Sequence, residues 1–153
     1  IVDRYIEEQG VGPVLQMVGA HDSIGGLIWI FYLSKNTLKA RTLAGVNAET
    51  TSGSWQIEVL QGTALAVLPR GEGVAVGTAD GDVYALNASG KLLWEDHNAL
   101  GAVTGLVFVS PPNNPKIYTC IVSDTGHAVR SLDIRRDLLS ETPLHLNRLA
   151  PPS

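Results

Sequence analysis

An all-β fold built from repeated four-stranded antiparallel sheets is what this sequence predicts, and three observations point to it. Apolar runs of strand length alternate with tight-turn chemistry, as where Ala79-Asp80-Gly81-Asp82 leads into Val83-Tyr84-Ala85-Leu86. The 16 glycines and 8 prolines, against one methionine in 153 residues, suit many short strands and sharp turns. The pattern then recurs, Gly81 superposing on Gly126 and an earlier, fainter copy lying near Gly26.

Residues 1–12 are the exception. Ile1, Val2, Tyr5, Ile6 and Gln9 share one helical face, Glu7 and Glu8 turn away, and Gly10 and Pro13 stop the pattern. A short N-terminal helix or linker is expected there. The repeats are expected over residues 13–146 and a tail over 147–153.

Residues 14–19 predict a first strand. Residues 27–33 (LIWIFYL) predict a second, apolar enough to be buried on both faces. Ser34-Lys35-Asn36-Thr37 supplies a turn and residues 38–43 return along the second strand. Residues 44–54 are polar and read as a loop. Residues 55–60 alternate cleanly, with Trp55, Ile57 and Val59 to one side and Gln56 and Glu58 to the other.

The middle of the chain is clearest. Strands are expected over 65–68, 74–78, 83–86 and 91–94, with turns at 69–73, 79–82 and 87–90. Such short connections join only antiparallel neighbours, so residues 63–94 predict most of one four-stranded meander. The Asp80-Gly81 pair tolerates the positive φ a hairpin needs. Strands over 104–109, 117–122 and 128–134 repeat the theme around a loop at 110–115 and a turn at 123–126. Residues 138–153 hold leucines among polar residues, suited to a further outer strand and then a linker. Four strands every ~40 to 50 residues describe propeller blades, each unable to bury its faces without neighbours.

The segment Thr78-Ala79-Asp80-Gly81-Asp82-Val83-Tyr84-Ala85-Leu86-Asn87-Ala88-Ser89-Gly90-Lys91-Leu92-Leu93-Trp94 resembles the repeat of quinoprotein-dehydrogenase-like propellers. That repeat has a glycine turn, an apolar strand ending in Ala-Leu-Asp/Asn, a Ser/Thr-Gly-Lys turn, then apolar residues and tryptophan. The resemblance implies that Trp94 fills the wedge between adjacent blades. It is partial over residues 117–134, where Arg135-Arg136 stands in place of the Gly-Lys turn. WD-repeat propellers are the close alternative, although Trp94 is followed by Glu95 rather than aspartate. About three blades do not close a ring, which takes four to eight. Missing sequence or further copies of the chain are expected to complete it.

Composition narrows the function. Hydrophobic residues make up 44% and charged residues 17%, as in a globular protein. Net charge is −4 and the longest basic run is Arg135-Arg136, so no nucleic-acid footprint is expected. No apolar run reaches the length of a membrane-spanning helix. Cys120, the single cysteine, excludes an intrachain disulfide and suits a reducing, intracellular setting as a buried small hydrophobe. The chain opens at Ile1 with no signal-peptide pattern, so a processed or excised piece is expected.

No catalytic site is expected. The quinone cofactor and calcium of the dehydrogenases sit on the axis of a full ring, and nothing in this chain matches that site. His21, His97, His127 and His145 are scattered without zinc-site spacing. Asp80, Asp82 and Asp124 sit in turns, where aspartate serves the backbone. The expectation is therefore a non-catalytic interaction scaffold without a cofactor or metal, binding protein partners through loops. The longest breaks between strands supply the candidates: Glu49, Thr50, Thr51 and Trp55 in one, Pro111, Asn113 and Asn114 in the other. The alternative is a carbohydrate- or small-ligand-binding propeller with Trp29, Trp55 and Trp94 as stacking platforms, Trp55 being the surface candidate. A piece of a quinone-dependent dehydrogenase is the remaining possibility.

Overall fold

Alternation along the strands dictates the architecture of the chain. A computed structural model describes residues 12–21, 27–44, 48–59, 61–126, 129–136 and 139. Within them lie three antiparallel sheets. The first is β1 (Gln16–His21), β2 (Leu27–Leu33), β3 (Thr37–Ala44) and β4 (Ala48–Glu58), in that spatial order. The second is β5 (Gly62–Val67), β6 (Gly73–Thr78), β7 (Val83–Asn87) and β8 (Leu92–Asp96), again in sequence order. The third is β9 (Val103–Val109), β10 (Ile117–Asp124) and β11 (Val129–Arg135). The innermost strands β1, β5 and β9 run side by side, β5 touching both of the others. Sheets packed face to face around such a line of inner strands are propeller blades, and the described blades form part of a ring.

The predicted meander of residues 63–94 is present, and the strand over residues 27–33 has the expected bounds. Gly81 takes φ +88° in the β6–β7 turn, where a side-chain carbon would meet the Gly101 and Ala99 carbonyl oxygens at 2.9 and 3.1 Å. The expected N-terminal helix, the tail of residues 147–153, and the outer-strand leucines other than Leu139 lie outside the described residues, as do His127 and His145.

One expectation is overturned. Residues 44–54 do not form a loop, because β4 begins at Ala48 and pairs Glu49 with Leu43 and Thr50 with Thr42. A register shift between Ala40 and Thr42 separates this pairing from the one further along, where Trp55 meets Ala40. The outer strand of a blade has a sheet neighbour on one side only, so it requires little apolar patterning. Threonine's β-branched side chain then favours the strand without leaving a hydrophobic signature.

The second blade shows why the ring curves as it does. Its face towards the first blade carries bulky rows: Val67–Val74–Leu86–Leu92 and Leu65–Val76–Tyr84 are cross-strand neighbours. They pack on Trp29, Phe31, Leu33, Leu38, Ile57 and Val59 of the first blade. The opposite face carries Ala66–Ala75–Ala85 in one row, ending in Trp94 at the outer strand. Small inner residues admit Phe108 and Tyr118 of the third blade, while the outer tryptophan fills the widening gap. Its indole meets the Phe108 ring edge-on at 6.2 Å. Trp94 thus takes the inter-blade position implied by the repeat.

Candidate interaction surface

The β5–β6, β7–β8 and β9–β10 connections all leave the same end of the blades. There the chain makes a 3-10 turn at Pro69–Gly71, with Arg70 held at φ 61°, a left-handed conformation unusual outside glycine. The Arg70 guanidinium donates to Ser110 Oγ at 3.1 Å and to the Pro115 carbonyl at 3.4 Å, tying the second blade to the loop of the third. That loop is itself ordered. Asn114 N–H donates to the Pro111 carbonyl at 3.2 Å, and Asn114 Oδ1 accepts from Lys116 N–H at 3.1 Å.

Beside this loop lies a mixed polar and ionic cluster. Arg136 donates through Nε to Glu72 Oε1 and Oε2 at 2.9 and 3.1 Å, and through Nη2 to Oε2. Tyr118 Oη also donates to Glu72, and the Arg136 guanidinium lies 5.9 Å from the centre of the Tyr118 ring. Partial burial pushes the Glu72 carboxyl up. Hydrogen bonds from Arg136 and Tyr118, with the charges of Arg136 and Arg70, outweigh this and hold it below its ordinary range. Burial and the Glu72 carboxylate push the Tyr118 phenol up to about 12. The cluster borders a cavity of about 330 Å³.

The opposite end is acidic. Arg130 Nη2 donates to Asp96 Oδ2 at 2.8 Å, a second ionic tie between the second and third blades. Burial raises the Asp96 carboxyl, and hydrogen bonds from Arg130 and Asn98 more than offset it, so it titrates low. His97 bridges two carboxylates, with Nδ1 2.7 Å from Asp82 Oδ1 and Nε2 3.0 Å from Glu95 Oε1. Hydrogen bonds first to Glu95 and then to Asp82 raise its pKa. Asp124 accepts from the Leu100 and Gly126 backbone N–H groups, the turn-stabilising role expected of it. Among the described residues, no group of three or more His, Cys, Asp and Glu side chains is placed to hold a metal ion. Nor, among them, is any helix long and apolar enough to cross a membrane. Cys120 is buried, and burial pushes its thiol up to about 12, with little nucleophilic thiolate left.

The structure does not bring the sequence-predicted contact residues together. Glu49, Thr50 and Thr51 belong to β4 of the first blade, while Pro111, Asn113 and Asn114 belong to the third. Trp55 is a correction in its own right. Its Nε1 donates to the Ala88 carbonyl at 2.8 Å, its ring is tilted against Phe31 at 6.2 Å, and a side-chain carbon on Gly90 would meet it at 2.9 Å. It is a wedge between the first and second blades, as Trp94 is between the second and third. Asn113 and Asn114 are exposed and Pro111 is half-buried, so that loop alone keeps the form the sequence suggested. Sequence reasoning missed Glu72 and Arg136, because 64 positions separate them and no short motif joins them.

Comparison with known proteins supports the fold. No protein-family model and no curated protein matches the chain. Among solved structures, it is similar to the crystal structure of BBS1N in complex with ARL6DN, with TM-score 0.60 and 18% identity. That similarity covers 87% of this chain and 40% of the other. It is also similar to Sqt1 from Chaetomium thermophilum, with TM-score 0.51 and 25% identity over 75% of this chain and 30% of that one. A Sqt1 structure bound to the N-terminus of the ribosomal protein L10 gives TM-score 0.50 at 24% identity, covering 83% and 34% of the two chains. These neighbours are propellers of the WD40-like type. The chain spans well under half of each of them, in keeping with a partial ring.

Proposed function

We propose that this chain is a non-catalytic propeller segment that serves as a protein-interaction scaffold. The observation that carries the reading is the ordered, exposed loop of residues 110–116, anchored by Arg70 on a rigid pair of blades. Recognition residues collect on loops held in place by a sheet. The neighbours add support, since BBS1N was solved with ARL6DN and Sqt1 with the N-terminus of L10. The Thr78–Trp94 repeat favours a quinoprotein-like origin of the blades, and the buried thiol of Cys120 suits an intracellular setting. Exposed Met17 and Ile28 on the first blade, and Val107, Val109 and Val129 on the third, suit faces covered by further blades or copies.

The tryptophans weigh against the carbohydrate reading. Trp29 is buried, Trp55 is a hydrogen-bonded wedge and Trp94 packs on Phe108, so none presents an open stacking face. The test is to replace residues 110–115 with a Gly-Ser linker and to measure partner capture from native extract. Loss of a partner by a variant that melts like the parent is expected. A folded variant that keeps every partner overturns the assignment of binding to this loop.

A further inference from the structure

The net charge of −4 conceals a separation of charge that the topology creates. Among the described residues of the second and third blades, Arg70, Lys91, Lys116, Arg135 and Arg136 sit at the end carrying the β5–β6 turn, with Glu72 among them. Asp80, Asp82, Glu95, Asp96 and Asp124 sit at the other end, with Arg130 among them. Asp133 lies just inside β11, where Thr119 Oγ1 donates to it at 2.9 Å. An antiparallel meander sends alternate turns to opposite ends, so residues scattered along the sequence are sorted by turn parity.

Two cavities open at the basic end. The one of about 330 Å³ has Lys116, Arg136 and Glu72 on its polar side and Leu93, Leu139 and the Tyr118 ring on its apolar side. A second, of about 650 Å³, lies where β1, β5 and β9 end, between Gly19–His21 residues, the Arg70 turn and Phe108–Ser110 residues. A basic rim with apolar recesses complements a carboxylate-rich chain that also carries large apolar side chains. Phosphodiester backbones fit it less well, because they carry no large apolar side chain to enter the recesses beside Leu93 and Leu139. Glu72 engages Nε and Nη2 of Arg136, while Lys116 is exposed at the cavity mouth.

We propose that this basic rim between the second and third blades docks an acidic segment of a partner protein, with a leucine or phenylalanine of that segment entering the cavity beside Leu93 and Leu139. The inference rests on the scaffold reading and adds the chemistry and the place of contact. Opposite potentials steer encounter over roughly a Debye length of ~8 Å at physiological salt, and the apolar anchor sets residence.

Fluorescence anisotropy of the full-length chain with short synthetic peptides tests this. One peptide is rich in Asp and Glu with interspersed Leu and Phe, one has the same acids without apolar residues, and one replaces the acids with Lys. The first should bind most tightly, more weakly as salt rises, and about tenfold more weakly to Lys116→Glu, a change of ~1.4 kcal/mol. Asp80→Lys at the other end should leave its affinity unchanged or slightly higher. Lys116 is exposed, so matching melts of variant and parent confirm that the fold is kept. Preference for the Lys peptide, binding indifferent to Lys116→Glu, no binding of the first peptide, or tighter binding of a duplex oligonucleotide each overturns the proposal. If it falls while the loop replacement still loses a natural partner, the scaffold reading stands and only this ligand chemistry is wrong.

Discussion

The two interfaces of the second blade are held by different means. Towards the first blade the contact is a hydrophobic wedge, with Trp29 and Phe31 stacked at 6.0 Å and Trp55 tilted against Phe31. Towards the third blade the sheet offers a row of alanines, Phe108 and Tyr118 fill the space, and ion pairs at each end (Glu72 with Arg136, Asp96 with Arg130) bracket the apolar centre. The first interface therefore depends on volume and the second on fit plus charge. Side-chain size along three cross-strand positions decides which neighbour a face accepts.

The comparison is sharpest at one residue from each side. Phe31 is 1% exposed, and Phe31→Ala should cost about 3 to 5 kcal/mol by leaving a cavity between the first two blades. Ala85 is 2% exposed on the other face, and Ala85→Leu should cost about 1 to 3 kcal/mol by overpacking. Thermal or urea melts read both. A tolerated Ala85→Leu would mean that the alanine row is not closely packed against the third blade.

Charge comes next in size. Arg136→Met removes the partner of a partly exposed Glu72, so the loss should be about 1 kcal/mol near neutral pH. The Glu72 pKa is depressed in the folded chain, so its contribution is present above its ordinary value of 4.5 and disappears as pH falls through the folded value. The stability gap between parent and Arg136→Met should therefore close in acid, which denaturation at neutral and acidic pH measures. A gap that persists in acid would assign Arg136 a packing role over Tyr118 instead.

The smallest effect belongs to His97. Its folded pKa is raised above 6.5, so its bridge to Glu95 and Asp82 stabilises below that value and fades as pH rises through the folded pKa. His97→Gln should lower the melting temperature more at mildly acidic than at alkaline pH. An equal loss at both would show that the edge-on contact with Tyr84, at 5.8 Å, matters more than the charge.

Much of the fold was legible from local chemistry. Residues 27–33 and the hairpins around Gly81 and Gly90 carry their own instructions: an unbroken apolar run of strand length, and turns needing positive φ, as at Gly90 with φ +85°. Wherever both faces of a strand meet other blades, burial writes an apolar run into the sequence. The outer strand β4 left no such record, since half of it could be polar and still pair with β3, and so it read as a loop.

What the sequence determined by itself was the repeat, its turns and hence the blade. Tertiary structure alone decided that Trp55 points into an interface, that Glu72 meets Arg136, and that five cations of the second and third blades share one end. Local sequence encodes a residue's own backbone preference and the face it shows. Contact between blades depends on how whole sheets twist and stack, and that information is distributed over positions tens of residues apart.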